Sequence, residues 1–247
     1  MTSTPTRRFP GQLMLAGQAA APDGPVDLTT MFLMHRGFRR DLEAFARAVE
    51  ATPLDDPATW SALAQRWRLF AEILHGHHSG EDAGLWPLLL DRVDAAGDAD
   101  GRATLEAMSA EHGRIDPLLD ACSAGFAQMT RAPRASIRDA LARQLTETRE
   151  HLGAHLSHEE RDAMRLVQAH LTQDDWQRLS VEHFEKPLTT RQLVGVAAWG
   201  LHELSSEGVT RLRRGDPKGP VLILMWRLFL RRPFERRERR AFRYLAA

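Results

Sequence analysis

The stretch HHSGE occupies residues 77–81 of this chain. This stretch lies within a long segment of helical periodicity, and it places His77 and Glu81 four residues apart. At that spacing both side chains lie on one helix face, about 6 Å apart along the axis. The same spacing recurs at His155 and Glu159 in another periodic segment. Imidazole and carboxylate groups on one face can reach a common metal ion, and together they suit iron, manganese or zinc.

Two single histidines extend the pattern to four segments. His35 occupies the apolar face of residues 27–51, and His112 occupies that of residues 102–129. Two carboxylates and four imidazoles inside a helical bundle would lose their hydration, at a cost of several kcal/mol per ion. A bound metal would offset that cost. We therefore predict that the metal ligands are His35, His77, Glu81, His112, His155 and Glu159.

The composition predicts an all-α fold. Of the 247 residues, 43% are hydrophobic and 27% are charged, and Ala, Leu, Arg, Glu and Gln dominate the sequence. Runs of Val, Ile, Thr and Tyr, which would favour strands, are rare. Four periodic segments are joined by modest connections, at about 27–51, 56–92, 102–129 and 136–170. They predict an antiparallel up-down-up-down four-helix bundle with additional C-terminal helices.

We divide the chain into three parts. Residues 1–26 are rich in Thr, Pro, Gly and Ala, and they predict an N-terminal arm, laid over the body or mobile. Residues 27–170 form the predicted bundle. Residues 171–247 form a C-terminal helical extension with a basic tail, in which we expect one helix over about 190–212 and a last helix from near Pro220. The chain has equal numbers of acidic and basic residues, yet the part from Arg211 onward carries a net charge of +9.

Adjacent residues offer competing ligand pairs. His78 and Asp82 are also four apart, but their helix face includes Arg68 and His75. We therefore predict that His78 and His158 are solvated or are hydrogen-bond partners of ligands. A ferritin-like site would need a Glu-x-x-His motif on each of two helices, and the chain has only one. Zinc-finger cysteines and the His-Glu-x-x-His motif are absent from the sequence.

The order His, His-x3-Glu, His, His-x3-Glu across residues 27–170 resembles the hemerythrin-like (HHE cation-binding) family. The resemblance implies a non-haem diiron centre inside an antiparallel four-helix bundle, with an oxo or hydroxo group between the two iron ions. It assigns His35 and His77 to one iron, His112 and His155 to the other, and the bridging positions to Glu81 and Glu159.

The chain departs from the oxygen-carrying members of that family in two places. Where they have a second histidine, one turn before the His112 position, this chain has Met108. Where they usually have Asp five residues after the last histidine, this chain has Glu159 at four and Glu160 at five. One iron would then lack a ligand unless His151 or water supplies it. An open position of this kind favours reaction with O2, peroxide or NO over reversible oxygen carriage.

Two functional hypotheses follow. One is a diiron protein that binds or reduces a small oxidant (O2, peroxide or NO), with a possible redox partner. The other is a non-enzymatic sensor of O2, NO or iron, or an iron-binding module. The basic tail could pair with the acidic bundle, contact a membrane surface or bind nucleic acid, but no nucleic-acid motif accompanies it.

The expected compartment is the cytoplasm. The chain has a single cysteine, Cys122, so it cannot form an intrachain disulfide. A lone thiol is compatible with a reducing compartment. Residues 6–9 faintly resemble a twin-arginine export signal, but the apolar run that follows is short and interrupted. The apolar run Val221–Leu230 is too short to span a bilayer.

Overall fold

The computed structural model describes residues 11–215 and 218–245, and these residues are largely helical. No β-strand occurs among them, so the predicted all-α class is confirmed. The segment 6–9, which resembles an export signal, lies outside the described residues. Within the described ranges, every helix is too short or too polar to cross a bilayer.

Four long helical segments cover most of residues 29–170. They are α1 (Thr29–Ala51), α2 (Pro57–Gly80) continued by α3 (Trp86–Ala96), α4 (Ala99–Arg131), and α5 (Ala135–His158) continued by α6 (Met164–His170). Asp56 and Asp98 cap the starts of α2 and α4 with their carboxylates. Helix α1 contacts α2 and α5, and α4 also contacts α2 and α5. The four segments therefore enclose a common interior.

A π-helical turn joins the two parts of the second and fourth segments. Glu81–Leu85 connects α2 to α3, and Glu159–Ala163 connects α5 to α6. Each turn begins at the glutamate of a His-x3-Glu pair. Pro87 directly follows the first residue of α3. A π turn inserts an extra residue into a helix and is frequent at functional sites, so these two turns mark the part of the bundle that carries the site.

Two apolar layers fill the interior, and the predicted ligands lie between them along each helix. The first layer holds the aromatic cluster of Phe45, Trp67, Phe70 and Phe126, whose rings pack edge to face or tilted. The second layer is lined by the other ends of the same helices. Its members include Phe32, Leu85, Trp86, Leu89, Leu105, Met108, Ala163 and Met164.

The described part of the N-terminal arm lies over the bundle. Leu13 and Val26 are completely buried in the second layer. The side chain of Gln12 donates to the carbonyl of Val26 and accepts from the backbone of Leu28. The backbone N–H of Ala19 donates to the Glu160 carboxylate. The arm is thus attached to the bundle next to the predicted site.

The C-terminal extension consists of shorter helices. They are α7 (Gln173–Leu179), a π-helical segment (Ser180–Glu185), α8 (Thr190–Leu201), α9 (Ser206–Gly215), α10 (Gly219–Met225), a π turn (Trp226–Leu230) and α11 (Arg231–Ala241). The predicted single helix over 190–212 is wrong. The chain leaves the helix after Leu201, and Glu203 adopts a positive φ of 53° before α9 begins.

A buried charge network attaches this extension to the bundle. Arg66 on α2 donates to Asp41 on α1 at 2.6 Å and to Glu238 on α11 at 2.5 Å. The indole N–H of Trp199 on α8 also donates to Asp41, at 2.6 Å. All four side chains are buried. These buried contacts therefore link α8 and α11 to α1 and α2.

Candidate metal centre

Four of the six predicted ligands form one buried cluster. His35, His77, Glu81 and Glu159 each offer a ligand atom, and these atoms all lie within 4.8 Å of one another. The Nε2 atom of His35 is 3.2 Å from the Glu159 carboxylate, and the Nε2 atom of His77 is 3.1 Å from that of Glu81. Helices α1, α2 and α5 thus bring two imidazoles and two carboxylates to one place.

The other two predicted ligands lie in a second cluster with a third histidine. The Nε2 atoms of His112 on α4 and His155 on α5 face each other at 3.2 Å. The ring of His78 stacks on that of His112, with centroids 3.9 Å apart and planes inclined by 11°. Ligand atoms of these three residues also lie within 4.8 Å of one another. This second cluster is thus a buried group of three imidazoles.

The two carboxylates lie between the clusters. Glu81 contacts His77 of the first cluster and, through its Oε2 atom at 3.5 Å, His112 of the second. Glu159 contacts His35 of the first and, through its Oε2 atom at 3.8 Å, His155 of the second. Each carboxylate therefore neighbours one imidazole on either side.

Three further carboxylates hold the outward-facing nitrogens of the histidines. The Nδ1 atom of His35 is 2.9 Å from Glu160, that of His112 is 3.0 Å from Asp82, and that of His155 is 2.8 Å from Glu111. A carboxylate at Nδ1 takes the N–H hydrogen bond, which leaves the lone pair on Nε2 facing the interior. This is the tautomer in which a histidine binds a metal through Nε2.

Some of these carboxylates are fixed in turn. Glu160 is completely buried, and it accepts hydrogen bonds from Arg39 and from the backbone of Ala19 as well as from His35. Glu111 is shared between His155 and His158, whose Nδ1 atom is 2.9 Å away. His158 therefore reaches the predicted ligand His155 only through Glu111 and is not itself a hydrogen-bond partner of a ligand.

Burial and close charged neighbours shift the pKa of several side chains in the site. Burial raises the pKa of Glu81, and the nearby Glu159 raises it further. Burial would raise the pKa of Glu159 as well, but the imidazole of His35 lowers it to about 2. Burial opposes the charged form of His35, yet Glu159 and Glu160 raise its pKa to about 9. Burial lowers the pKa of His77 to about 3. Glu81 and Glu159 thus crowd negative charge at one buried place, which opposes the charged form of Glu81.

Many polar atoms at this centre also lack a hydrogen-bond partner. Among the described residues, these atoms are both carboxylate oxygens of Glu81, both of Glu159, Nε2 of His35, Nε2 of His77 and both ring nitrogens of His78. An unpartnered buried polar group costs about 1 to 3 kcal/mol, and more when it is charged. Buried imidazole nitrogens and carboxylate oxygens that converge without hydrogen-bond partners have the donor chemistry of a metal site, so the residues present fit a bound metal.

Neither predicted role of His78 is observed, because its side chain is buried and neither ring nitrogen has a hydrogen-bond partner in the described part of the chain. His78 is only 3% exposed, whereas His75, one turn earlier, is exposed. A helix within a four-helix bundle buries a face more than 100° wide, which admits two consecutive positions. The sequence itself indicates that His78 is buried, because Ile73 and Leu74 form an apolar pair one turn before His77 and His78. Both members of that pair are buried.

The alternative ligands weighed from the sequence lie elsewhere. His151 is exposed and does not reach the site. Met108 is completely buried in the second apolar layer. The Nδ1 partners Asp82 and Glu111 were not singled out as such, because their contacts cross between helices and have no spacing within one helix.

A segment of the C-terminal extension covers the site. The ring of Phe184 lies 6.1 Å from that of His77, and a Cβ atom added at Gly80 would come within 2.8 Å of it. A Cβ atom added at Gly84 would come within 2.4 Å of His183. These two glycines lie on either side of Glu81, so the Ser180–Glu185 segment approaches the backbone next to Glu81.

Comparison with known proteins agrees with this geometry. The model of a family described as the hemerythrin HHE cation binding domain matches residues 26–167, which is more than half of the chain. Separate comparisons with curated proteins and with solved structures gave no match. The matched range contains α1 to α5, both π turns and every residue of the two clusters. The chain therefore belongs to the hemerythrin HHE cation-binding domain family.

Proposed function

We propose that the chain holds two iron ions in one carboxylate-bridged centre, and that this centre binds or reduces a small oxidant such as O2, peroxide or NO. The position of Glu81 and Glu159 carries the proposal. Each carboxylate lies within 3.8 Å of an imidazole from both clusters. A carboxylate shared between two groups of imidazoles is the arrangement that a pair of ions requires.

The residues divide naturally between two ions. His35 and His77 would hold one ion, and His112 and His155 would hold the other. His78 adds an imidazole to the second group, which offsets the missing histidine at Met108. When bound, the ions would supply redox chemistry and a position for a small ligand. The chain's own part is to hold protons at Nδ1 of three histidines and to exclude water with Phe38, Trp86 and Phe184.

The proposal includes an antiparallel up-down-up-down arrangement of the four long segments. The order of layers along each helix supports it. On α1 and α4 the chain passes from the second apolar layer through the ligand to the first, and on α2 and α5 it passes in the opposite order. Adjacent segments therefore run in alternating directions past the site. The same proposal places the chain in the cytoplasm, where its buried free thiol, Cys122, would stay reduced.

A sensor is the second candidate, and the position of the extension favours it. Phe184 and His183 pack against Gly80 and Gly84, on either side of Glu81. A change at the centre that moved Glu81 would therefore also move the residues of the C-terminal extension that pack beside it. In this case the chain would bind O2, NO or iron and would not turn over a substrate.

Metal analysis and rapid kinetics test the proposal. The iron-loaded protein should contain two iron ions per chain and show the absorption of a diiron centre. One zinc ion per chain, or no metal, would contradict the diiron assignment. Stopped-flow mixing with peroxide and with NO then separates the candidates. Continued consumption of the oxidant in the presence of a reductant indicates an enzyme, whereas a reversible spectral change without consumption indicates a sensor.

A further inference from the structure

The last helical segment, Gly219–Ala241, exposes large apolar side chains to solvent. Seven large hydrophobic residues are exposed in the described part of the chain, and four of them lie within nine residues of this segment. They are Val221, Leu224, Leu228 and Phe229, with exposed fractions from 56% to 66%. Val221, Leu224 and Leu228 follow the spacing of one helix face. The exposed residues thus form one apolar ridge.

Exposed arginines lie along the same segment and just beyond it. Arg227, Arg231, Arg232, Arg236, Arg237, Arg239, Arg240 and Arg243 are all exposed. Glu235 pairs with Arg231 and with Arg239, and Asp56 is near Arg243. Within residues 11–215 and 218–245, the other five arginines have no acidic partner. The outer side therefore combines apolar surface with a high density of uncompensated positive charge.

The inner side of the same segment is fixed to the bundle. Ile223, Phe234 and Ala241 are buried, and so is Glu238, which accepts the hydrogen bond from Arg66. Because these contacts determine which side faces inward, the apolar ridge and the free guanidinium groups are held outward together. They form a preformed surface and need no folding step to appear.

We propose that this surface docks on a membrane that carries anionic phospholipids. Apolar side chains of an amphipathic helix enter the boundary between headgroups and acyl chains, and arginines pair with the phosphates. A second copy of the chain fits less well, because a symmetric contact would bring two arginine-rich faces together. Nucleic acid would use the arginines but would gain nothing from Val221, Leu224 and Leu228.

The charge of the rest of the chain agrees with this orientation. Residues 1–210 carry a net charge of −9, and the part from Arg211 onward carries +9. Near an anionic surface the bundle would be repelled while the tail is attracted. The chain would then sit with the Gly219–Ala241 segment on the membrane and the acidic bundle directed toward water.

Co-sedimentation of the full chain with vesicles tests the proposal. The protein should bind vesicles of phosphatidylcholine mixed with phosphatidylserine and should dissociate as salt is added. It should bind vesicles of phosphatidylcholine alone much more weakly. Equal binding to both kinds of vesicle, or binding to neither, would overturn the proposal.

Two double variants separate the contributions of the apolar and the charged groups. Leu224→Glu with Leu228→Glu, and Arg236→Glu with Arg240→Glu, should each weaken binding to the anionic vesicles by about tenfold or more. The control is Arg47→Glu with Arg68→Glu, which makes the same charge change at two exposed bundle positions. It should bind like the parent chain. All variants are first checked for unchanged helix content and iron content.

Two other results would favour a different partner. A concentration-dependent dimer that Leu224→Glu with Leu228→Glu abolishes would indicate a second copy of the chain and would overturn the proposal. Binding to a DNA or RNA duplex that the leucine variant leaves unchanged, without vesicle binding, would overturn it as well.

Discussion

Glu81 and Glu159 lie on different helical segments but have the same local setting. Each is completely buried, each follows a histidine by four residues, and each begins a π-helical turn. Each also neighbours one imidazole of either cluster. The two helices that carry them thus present their glutamates to the centre in equivalent ways, which makes the pair the first target for mutation.

Removing both carboxylates should abolish iron binding. In Glu81→Ala with Glu159→Ala, both clusters lose their shared ligands, and the remaining imidazoles carry no negative charge to balance the ions. Metal analysis after reconstitution should find two iron ions per chain in the parent and none in the variant. The control is Glu72→Ala with Glu150→Ala, because both residues are exposed on the same two helices. Retention of both irons by the first variant would show that the glutamates do not bridge.

His78 should act as a ligand of the second ion. Replacing it in His78→Ala removes the ring that stacks on His112, and we expect the affinity for one of the two ions to fall about 100-fold. A competition titration with a coloured chelator measures this. The matched control is His75→Ala, an exposed histidine one turn earlier. Two equally tight sites in His78→Ala would assign this residue a packing role instead.

Widening the cover over the site should speed the loss of iron. A Cβ atom at Gly80 would come within 2.8 Å of the Phe184 ring, so Gly80→Ala should push this ring away from His77. We expect a chelator to extract iron several times faster from this variant. The control is Gly76→Ala on the same helix, where an added Cβ atom meets no other atom within 4 Å. Equal extraction rates in the two variants would mean that Phe184 does not control access.

Breaking the charge network at Arg66 should destabilise the whole chain. Arg66→Ala leaves the buried carboxylates of Asp41 and Glu238 without their guanidinium partner, and such a loss costs about 3 to 5 kcal/mol. Urea unfolding measures the change in the free energy of unfolding. Arg68→Ala, at an exposed position two residues later, should change it by no more than about 0.5 kcal/mol.

The same variant should alter the response to acid. Burial would raise the pKa of Asp41, but Arg66 and Arg40 lower it below its usual value. A lowered pKa stabilises the fold above the ordinary value of about 3.9, and this stabilisation is lost as the pH falls through the folded value. Without Arg66 the burial effect gains weight and the folded pKa of Asp41 rises, so Arg66→Ala should lose less stability than the parent as the pH falls through the acidic range. Urea midpoints measured across acidic pH would show this, and parallel curves would contradict it.

The sequence indicated the six-residue pattern because metal ligands of a bundle interior must follow the apolar face of each helix. His35, His77, His112 and His155 all lie on such faces, and the structure brings them together. It did not indicate Asp82 or Glu111 as imidazole partners, since those contacts join side chains of different helices. His78 was misjudged because one exposed neighbour, His75, outweighed the apolar pair Ile73 and Leu74.

The C-terminal extension was less predictable. The helix start near Pro220 agrees with Gly219, where α10 begins, because a proline fits the first turn of a helix. The interruption between α8 and α9 carries no proline or glycine between Leu201 and Ser206. It follows from tertiary contacts, since Arg36 and Arg40 both donate to the carbonyl of His202.

Part of the cover over the candidate metal site lies outside the range that the family model matches. The family match ends at residue 167, whereas His183 and Phe184 come from the segment that follows. The predicted ligands and this part of their cover thus come from different parts of the chain. Two proteins that share the seven residues of the two clusters can therefore differ in which molecules reach the site. For this chain, substitutions in residues 180–185 should therefore change which small molecules reach the site.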